Sequence, residues 1–398
     1  MFRQNTLLVF AFVCIVKVLC CDVHTKELSA VCKSFSDLSH LKDDSKWKVI
    51  KVVNNGNEKL QKLTENSVRN IAQVDQLWVN GLLNGIENSA LNNLANLDKL
   101  HLEDNEIATL SPGMFDNPSI KTIIVNNSNV QTILPGIFDN LPQLLQVFIV
   151  RNHISTIQPN VFSRTNIKDL DLSENGIQFL ENNAFIEMKQ LETLNLMKNS
   201  LTSFDTQRLL STSPALSLLV LTGNHIQSLS KQMFDGLENL KDLYLGHNNL
   251  ETLAPNCFHN LKNISRIDIS NNKLKELSPD IFPKEGIVSL RDLFLHENQL
   301  CFLSAQVLER MPHLRQLSYG GNPWQCPCWE LLNYWITDKR ISRVCHDEYK
   351  QGKLPECIIT VQAPTECIFD VDQLKDVPQL FSNQVADYPK PSYCSSIF

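Results

Sequence analysis

The stretch Leu240 to Phe258, LKDLYLGHNNLETLAPNCF, carries a spacing of side chains that recurs along most of this 398-residue chain. Counted from Leu240 as position zero, apolar residues stand at +3, +5, +10 and +13, and an asparagine stands at +8. Ten further copies follow one another at intervals of 23 to 26 residues. The eleven copies begin at Val74, Leu97, Ile120, Leu144, Ile167, Leu191, Leu216, Leu240, Ile264, Leu290 and Leu314.

This period, and the apolar spacing inside it, are typical of a leucine-rich repeat. Each copy should begin with a short strand whose alternate residues point into the molecule. Stacking of these residues on neighbouring copies builds the core, and each buried side chain contributes about 1.5–3 kcal/mol. We therefore expect an α/β leucine-rich repeat solenoid. It would be a curved horseshoe with a parallel β-sheet on the concave face and an irregular or short-helical convex side.

Two further columns of residues support this interpretation. An asparagine side chain at +8 can bond backbone groups of its own turn and the next one, which buried backbone groups require. Leu82 and Ser128 interrupt this column; its members are Asn105, Asn152, Asn175, Asn199, Asn224, Asn248, Asn272, Asn298 and Asn322. Position +18 predicts an aromatic spine in the core, formed by Phe115, Phe138, Phe162, Phe185, Phe234, Phe258 and Phe282, with Leu209 and Leu308 as substitutes.

The ends of the chain predict how it is divided. Residues 1–20 combine Arg3 with an apolar run and a small-residue end, which is typical of a secretory signal peptide; a membrane anchor is the alternative. We expect an N-terminal cap at 21–46, one degenerate and about eleven regular repeats at 47–321, a cysteine-rich cap at 322–367 and a tail at 368–398. Cleavage would remove two basic residues and no acid, so the mature chain would be more acidic than the net charge of −7. That charge argues against nucleic acid as a partner.

The cysteines agree with an oxidising compartment, because eight of the ten that follow residue 20 lie near the two ends. A disulfide between Cys21 and Cys32 would cover the open edge of the first turn. Cys257 and Cys301 stand two repeats apart, about 10 Å, beyond disulfide reach. We expect each to be a buried free thiol, with covalent dimerisation as the alternative.

The sequence NPWQCPC at 322–328, followed by an apolar run and by Cys345 and Cys357, resembles the C-terminal cap of extracellular leucine-rich repeat proteins. The resemblance implies pairing of Cys326 with Cys345, and of Cys328 with Cys357 or Cys367. Cys394 lies beyond that cap pattern and is included among the cysteines expected to form disulfides. A zinc site is the competing interpretation of this cysteine cluster.

A narrower resemblance concerns the entry segment VVNNGNEKLQKLTENSV at 52–68, which is similar to the first repeat of leucine-rich immune proteins of mosquitoes and related insects. Members of that family circulate in haemolymph, and several carry a C-terminal coiled coil that supports dimers and partnership with complement-like thioester proteins. The chain has no sustained heptads after Cys345, so it resembles a short, coiled-coil-free member. The resemblance to this family implies a thioester protein as one candidate partner.

Residues at +2, +4 and +6 should point outward on the concave sheet, where packing does not demand large apolar side chains. Two apolar groups stand out there, and Phe294 is a further large apolar residue in the same column. An apolar surface rimmed by acids is typical of a protein-binding site, although strand preference also favours such residues. The expected ligand-binding residues are Ile124, Phe148 and Val150 in the first group, Met197, Leu218, Val220 and Tyr244 in the second, and Phe294.

Asn126 and Asn263 begin sequons for N-glycosylation. A glycan on Asn126 would cover the edge of the first apolar group and make the second group the better candidate. The motifs of hydrolases, metalloproteases and phosphate loops are missing from the sequence, and the histidines are explained as exposed turn or surface residues. We expect neither catalysis, nor a cofactor, nor a metal, nor a membrane span.

The leading hypothesis from the sequence is a secreted binding protein that recognises a protein or a microbial surface through the concave face, in insect innate immunity. The alternative is an extracellular developmental or matrix protein that binds a growth factor or a cell-surface receptor on the same scaffold. Either protein would be a monomer or a disulfide-linked dimer.

Overall fold

The computed structural model describes residues 21–24, 26–38, 41, 47–54, 56, 58–205, 209–210, 213–231, 233–344, 356–358 and 366–385. The signal peptide expected at 1–20 lies outside these residues, as do Cys345 and Cys394. The chain divides into two compact units, Met1–Met188 and Lys189–Phe398.

The main sheet of the first unit has the spatial order β1-β2-β3-β5-β7-β9-β11-β13. Its first pair is antiparallel, and the later pairs, from β2 with β3 to β11 with β13, are parallel. Strands β4, β6, β8, β10, β12 and β14 form a second row of two-stranded sheets. The bounds are β1 (Asp22–His24), β2 (Ser29–Cys32), β3 (Val49–Val53), β4 (Gln61–Leu63), β5 (Gln76–Asn80), β6 (Leu83–Ile86), β7 (Lys99–Glu103), β8 (Thr109–Leu110), β9 (Thr122–Asn126), β10 (Thr132–Ile133), β11 (Gln146–Phe148), β12 (Thr156–Ile157), β13 (Asp169–Asp171), β14 (Phe179–Leu180), helices α1 (Phe35–Leu38) and α2 (Glu65–Val68), and a 3-10 turn at Arg69–Ile71.

The second unit repeats this arrangement, with a main parallel sheet in the order β15-β16-β18-β20-β21-β22-β23 and one second-row pair, β17 with β19. Its helices lie near the C-terminus. The bounds are β15 (Thr193–Asn195), β16 (Leu218–Val220), β17 (Ser228–Leu229), β18 (Asp242–Tyr244), β19 (Thr252–Leu253), β20 (Arg266–Asp268), β21 (Asp292–Phe294), β22 (Gln316–Ser318), β23 (Ser342–Arg343), helices α3 (Ala305–Glu309), α4 (Cys326–Asp338) and α5 (Val377–Val385), and 3-10 turns at Pro279–Ile281 and Val371–Leu374.

The core of each unit consists of the predicted columns. In the copy that begins at Leu240, the residues at +3, +5 and +10 have no exposed surface. The phenylalanines at +18 stack along the opposite side, with ring centroids 5.4 Å apart for Phe138 and Phe162 in the first unit and 6.1 Å apart for Phe234 and Phe258 in the second. The predicted leucine-rich repeat solenoid and its aromatic spine are confirmed.

The asparagine column bonds the turns together. The Nδ2 of Asn248 donates to the Leu221 carbonyl of the preceding turn at 2.9 Å, and its Oδ1 accepts from the Ile226 amide of that turn at 3.0 Å. The inter-turn partner is thus the preceding turn rather than the next one. Ser128 partly replaces the missing asparagine, because its Oγ donates to the Asn126 carbonyl at 2.9 Å and accepts from the Asn105 amide at 3.3 Å.

The disulfide Cys21–Cys32 joins the ends of the β1–β2 hairpin, as predicted. At the other end, the predicted pair Cys326–Cys345 is wrong, because Cys326 is bonded to Cys357. The Cys326 amide donates to the Ile358 carbonyl at 2.9 Å, and the Ile358 amide donates to the Trp324 carbonyl at 2.7 Å. These backbone bonds hold the segment that contains Cys357 beside the start of α4.

The second cap disulfide, Cys328–Cys367, is one of the two pairings left open for Cys328. Gln325 accounts for it, because its amide side chain donates to the Ile368 carbonyl at 2.8 Å and accepts from the Ile368 amide at 3.2 Å. Both cysteines of the C-x-C motif are therefore consumed in disulfides, which corrects the competing zinc interpretation.

Candidate ligand-binding face

The residues at +2, +4 and +6 of the repeats lie on the side of each main sheet that faces away from the core. We call this side the strand face. Because the strands pair in register, equivalent positions form rows across them. The +4 row of the first unit contains Lys51, Trp78, His101, Ile124, Phe148 and Asp171, and that of the second contains Val220, Tyr244, Asp268, Phe294 and Ser318.

The first apolar group lies on the strand face of the first unit, as predicted. Ile124 and Phe148 are direct register partners on β9 and β11, and Val150 follows two residues after Phe148. All three side chains are half-buried. The structure therefore brings these residues together and leaves part of each accessible to a ligand.

Trp78 and His101 precede this group in the same row. Their ring centroids are 3.9 Å apart with an interplanar angle of 42°. The Lys51 ammonium lies 4.6 Å from the centre of the Trp78 ring. His101 is only 8% exposed, so the interpretation of this histidine as an exposed residue is wrong. Burial first, and then the nearby Lys99 and Lys51, lower the pKa of His101 to about 4, so that its ring is neutral at pH 7.

On the strand face of the second unit, three expected ligand-binding residues are buried. Val220 is 1%, Tyr244 3% and Phe294 4% exposed, so the prediction that they form an accessible ligand surface is wrong. Their +4 position alone is not the reason, because Ile124 and Phe148 share it; the side chains on the neighbouring strands cover these three residues. Neighbouring strands lie about 4.8 Å apart, and a large side chain in the middle of a short strand is covered by its neighbours on both sides.

Arg266, a residue that the sequence did not single out, covers part of this row. Its guanidinium donates to the Tyr244 hydroxyl at 3.0 Å and to one carboxylate oxygen of Asp292 at 2.7 and 3.1 Å. Burial raises the pKa of Tyr244, and the bond with Arg266 opposes that shift. The only sequence signal was an arginine at +2 flanked by Asp242 and Asp292 at +2 of the adjacent repeats.

Other buried polar groups of this row are also bonded. Asp268 accepts from the amide and the hydroxyl of Ser270 at 2.9 and 2.6 Å, and its burial raises the pKa of its carboxyl. The Nδ1 of His296 lies 2.6 Å from the Ser318 hydroxyl. Burial lowers the pKa of His296 to about 4, and this ring was also wrongly interpreted as exposed.

What remains accessible of the second apolar group is Met197 at +6 and Leu218 at +2, both half-buried.

The two predicted sequons differ in position. Asn126 stands at +6 on β9 with its Oδ1 buried, whereas Asn263 is exposed and its Nδ2 donates to the Glu238 carbonyl at 3.0 Å. Glycosylation of either residue stays a prediction.

Cys257 and Cys301 are free and buried, as predicted, and burial raises the pKa of each thiol to about 12. Among the described residues, no group of three or more histidine, cysteine, aspartate or glutamate side chains could hold a metal ion. No helix in the described ranges has both the length and the apolar character needed to cross a bilayer.

The solved structures with a similar fold include the leucine-rich repeat domain of APL1B, a mosquito protein, with a TM-score of 0.57 at 17% identity over 83% of this chain and 90% of that one. A chain of the mouse RP105/MD-1 complex matches with a TM-score of 0.59 at 18% identity, over 86% of this chain and 63% of that one. A chain of the Toll–Spatzle complex of Drosophila matches with a TM-score of 0.56 at 18% identity, over 75% of this chain and 47% of that one.

None of the curated proteins compared with the chain matches it in sequence. The family profile described as Leucine rich repeat matches residues 214–274 and 262–323. The profile described as BspA type Leucine rich repeat region (6 copies) matches residues 84–213. Together these profiles span more than half of the sequence, and they agree with the repeat positions and the sheets described above. The chain is a leucine-rich repeat protein.

Proposed function

We propose that this chain is a secreted, non-enzymatic binding protein that recognises a protein or a microbial surface through its strand face, in insect innate immunity. The observation that carries the proposal is the half-buried group formed by Ile124, Phe148 and Val150, each of which keeps part of its surface exposed. Apolar side chains on a solvated sheet face are not needed for packing, and partly exposed apolar groups of this kind mark interaction surfaces.

Secretion is supported by three disulfides near the two ends, because such bonds persist in oxidising compartments. The immune part of the proposal is supported by the likeness of the entry segment to insect immune proteins and by the fold shared with APL1B. On the same grounds, a complement-like thioester protein is one candidate partner. The chain would bind it either as a monomer or as a disulfide-linked dimer.

The alternative function is an extracellular developmental protein that binds a growth factor or a receptor. It is favoured by the fold shared with the Toll–Spatzle complex, which is described as a hub of both development and innate immunity. Induction of the transcript by infection discriminates between the two roles, because a developmental protein should follow the stage of the animal rather than exposure to microbes.

The proposal is tested by replacing Ile124 and Phe148 together with aspartate and measuring what co-purifies with the secreted chain. The double variant should lose its partner, because charges at the centre of the apolar group oppose desolvation. Its thermal unfolding should change little, since both side chains are only half-buried. Phe179→Asp is the matched control, because Phe179 is 60% exposed on β14, away from the strand face.

If the control loses the partner as completely as the double variant, or if the double variant retains it, the Ile124 group is not the binding site. A Met197→Asp, Leu218→Asp variant then tests the second accessible group. The same variant is needed if mass spectrometry finds a glycan on Asn126, because that glycan would cover the edge of the first group.

A further inference from the structure

The first unit holds a cluster of basic and aromatic side chains at the start of its +4 row. Lys51, Trp78 and His101 are register neighbours on β3, β5 and β7. The Lys51 and Lys99 ammonium groups lie 4.6 and 5.6 Å from the centre of the Trp78 ring, close enough for cation–π attraction. Two cations thus lie near the Trp78 ring, on the two strands that pair with β5.

The two lysines of this cluster form no ion pair with a carboxylate of the described residues. Within the ranges that the structure describes, no carboxylate lies within 4 Å of either ammonium, whereas the neighbouring Lys48 pairs with Asp75 at 3.1 Å. The carboxylate of Glu103 lies 3.8 Å from the Nε2 of His101, so two lysines face one acid. The positive charges of Lys51 and Lys99 act on His101, because both contribute to its lowered pKa.

The cluster also contains buried polar atoms without a hydrogen-bond partner among the described residues. They are the Nε1 of Trp78 and both ring nitrogens of His101, a side chain more than nine-tenths buried. Each such atom costs about 1–3 kcal/mol. His296, its counterpart on the second unit, is bonded to Ser318. An acidic ligand brought to the row would compensate the positive charge.

We infer that Lys51, Lys99 and the Trp78–His101 pair form a site for an acidic segment of a protein partner. This inference rests on the proposed function and names the chemistry of the partner. Carboxylates of such a segment can accept charge-assisted hydrogen bonds from the two ammonium groups. The row then continues into Ile124 and Phe148, which suit apolar side chains of the same segment.

The arrangement favours an acidic protein segment over an acidic sugar. Sugars use an open aromatic face for stacking, but the centre of the Trp78 ring already has the His101 ring centre 3.9 Å away and the Lys51 ammonium 4.6 Å away. Lys99 on β7 and Phe148 on β11 are separated by two strand spacings, which is about 10 Å. An extended segment whose carboxylates stand about 10 Å from its large apolar side chains would therefore reach both residues.

The test uses a fluorescein-labelled peptide of four glutamates followed by leucine and phenylalanine, and the purified full chain freed of N-glycans by an endoglycosidase. The control probes are the same peptide with glutamines and a heparin oligosaccharide. The glutamate peptide should bind better than the glutamine peptide, and high salt should weaken it. Lys51→Gln with Lys99→Gln should weaken its binding about tenfold or more. Lys121→Gln, an exposed lysine at +1, should leave binding unchanged.

Nuclear magnetic resonance titration of His101 supplies a second readout. Bound carboxylates offset the field of the lysines, so the pKa of His101 should rise from about 4 when the glutamate peptide is present. A merely structural role of the lysines would leave this pKa insensitive to the peptide.

The inference is overturned if both peptides bind equally, if Lys121→Gln weakens binding as much as the double variant, or if only heparin depends on Lys51 and Lys99. These outcomes are distinct from failure of the proposed function, because the peptide assay needs no natural partner. Loss of the natural partner in the Ile124 and Phe148 variant, together with no peptide binding, would reject this site alone.

Discussion

The strand faces of the two units are built from the same repeat positions but present different surfaces. In the first unit, Ile124 and Phe148 are half-buried, and neither ring nitrogen of His101 has a hydrogen-bond partner among the described residues. In the second unit, Tyr244 and Phe294 are buried, and the polar groups around them are bonded to one another.

The difference teaches that the position of a residue in the repeat determines its direction but not its accessibility. The accessibility depends on the side chains at the same position of the neighbouring strands. Arg266 donates hydrogen bonds to Tyr244 and Asp292, so these polar groups on the strand face of the second unit are bonded within the chain. In the first unit, the Nε1 of Trp78 has no hydrogen-bond partner among the described residues. The strand face of this unit can therefore still form hydrogen bonds and ion pairs with a ligand. We therefore propose that ligand recognition uses the first unit.

The largest expected effect distinguishes buried from accessible positions directly. Tyr244→Asp should lower the free energy of unfolding by about 3–5 kcal/mol, because it removes a buried aromatic ring, leaves a cavity and places a carboxylate in a buried site. Phe148→Asp should lower it by only about 1 kcal/mol, because its side chain stays partly in water. Calorimetry of the whole chain compares the two variants, and equal losses would remove the distinction between the faces.

A smaller effect is expected from replacing Arg266, which bonds polar groups on the strand face of the second unit. Arg266→Ala should destabilise the chain by about 1–2 kcal/mol, because it leaves the buried Tyr244 hydroxyl and the Asp292 carboxylate without that partner. Arg164→Ala is the matched control, since Arg164 pairs with Glu187 at 3.3 Å on the surface with its side chain 77% exposed. Exposed pairs contribute about 0–1 kcal/mol, so a loss as large as that of Arg266→Ala would contradict the role of the network.

The pH dependence of stability should show the buried histidine of the second face. His296 has a folded pKa of about 4 against an ordinary 6.5, so the unfolded chain binds its proton first. Its contribution is fully present above pH 6.5 and is lost as the pH falls from 6.5 to about 4. Asp268 acts in the opposite direction, because its pKa is raised. His296→Gln should therefore reduce the fall in melting temperature over this window, and an unchanged fall would show that His296 is not buried in its neutral form.

The smallest effect separates the two histidines. Lys99→Gln should raise the pKa of His101, because Lys99 disfavours its charged form, but the pKa should stay below 6.5 since burial is the larger cause. The pKa of His296 depends on burial and on His247, so it should not move. Titration of both rings by nuclear magnetic resonance checks this, and a parallel shift would mean that Lys99 acts on the fold as a whole.

The sequence sufficed for the parts that depend on local spacing. The apolar columns around Leu240, the spine at Phe258 and the disulfide Cys21–Cys32 are where periodicity and short separations placed them. The partner of Cys326 was beyond reach, because it depends on the path of the chain after α4 and on backbone bonds to Ile358. The burial of Tyr244 was equally hidden, since it arises from side chains one repeat away on either side.

The most direct test of the account is hydroxyl-radical footprinting of the full chain, alone and with the partner that co-purifies with it. In the free chain, Phe148 should be modified faster than Tyr244 and Phe294, because it alone of the three is only partly buried. In the complex, Phe148 and Ile124 should become protected while the exposed Phe179 keeps its rate. Rapid modification of Tyr244 and Phe294 in the free chain, or protection of those two residues but not of Phe148 in the complex, would contradict the assignment of recognition to the first unit.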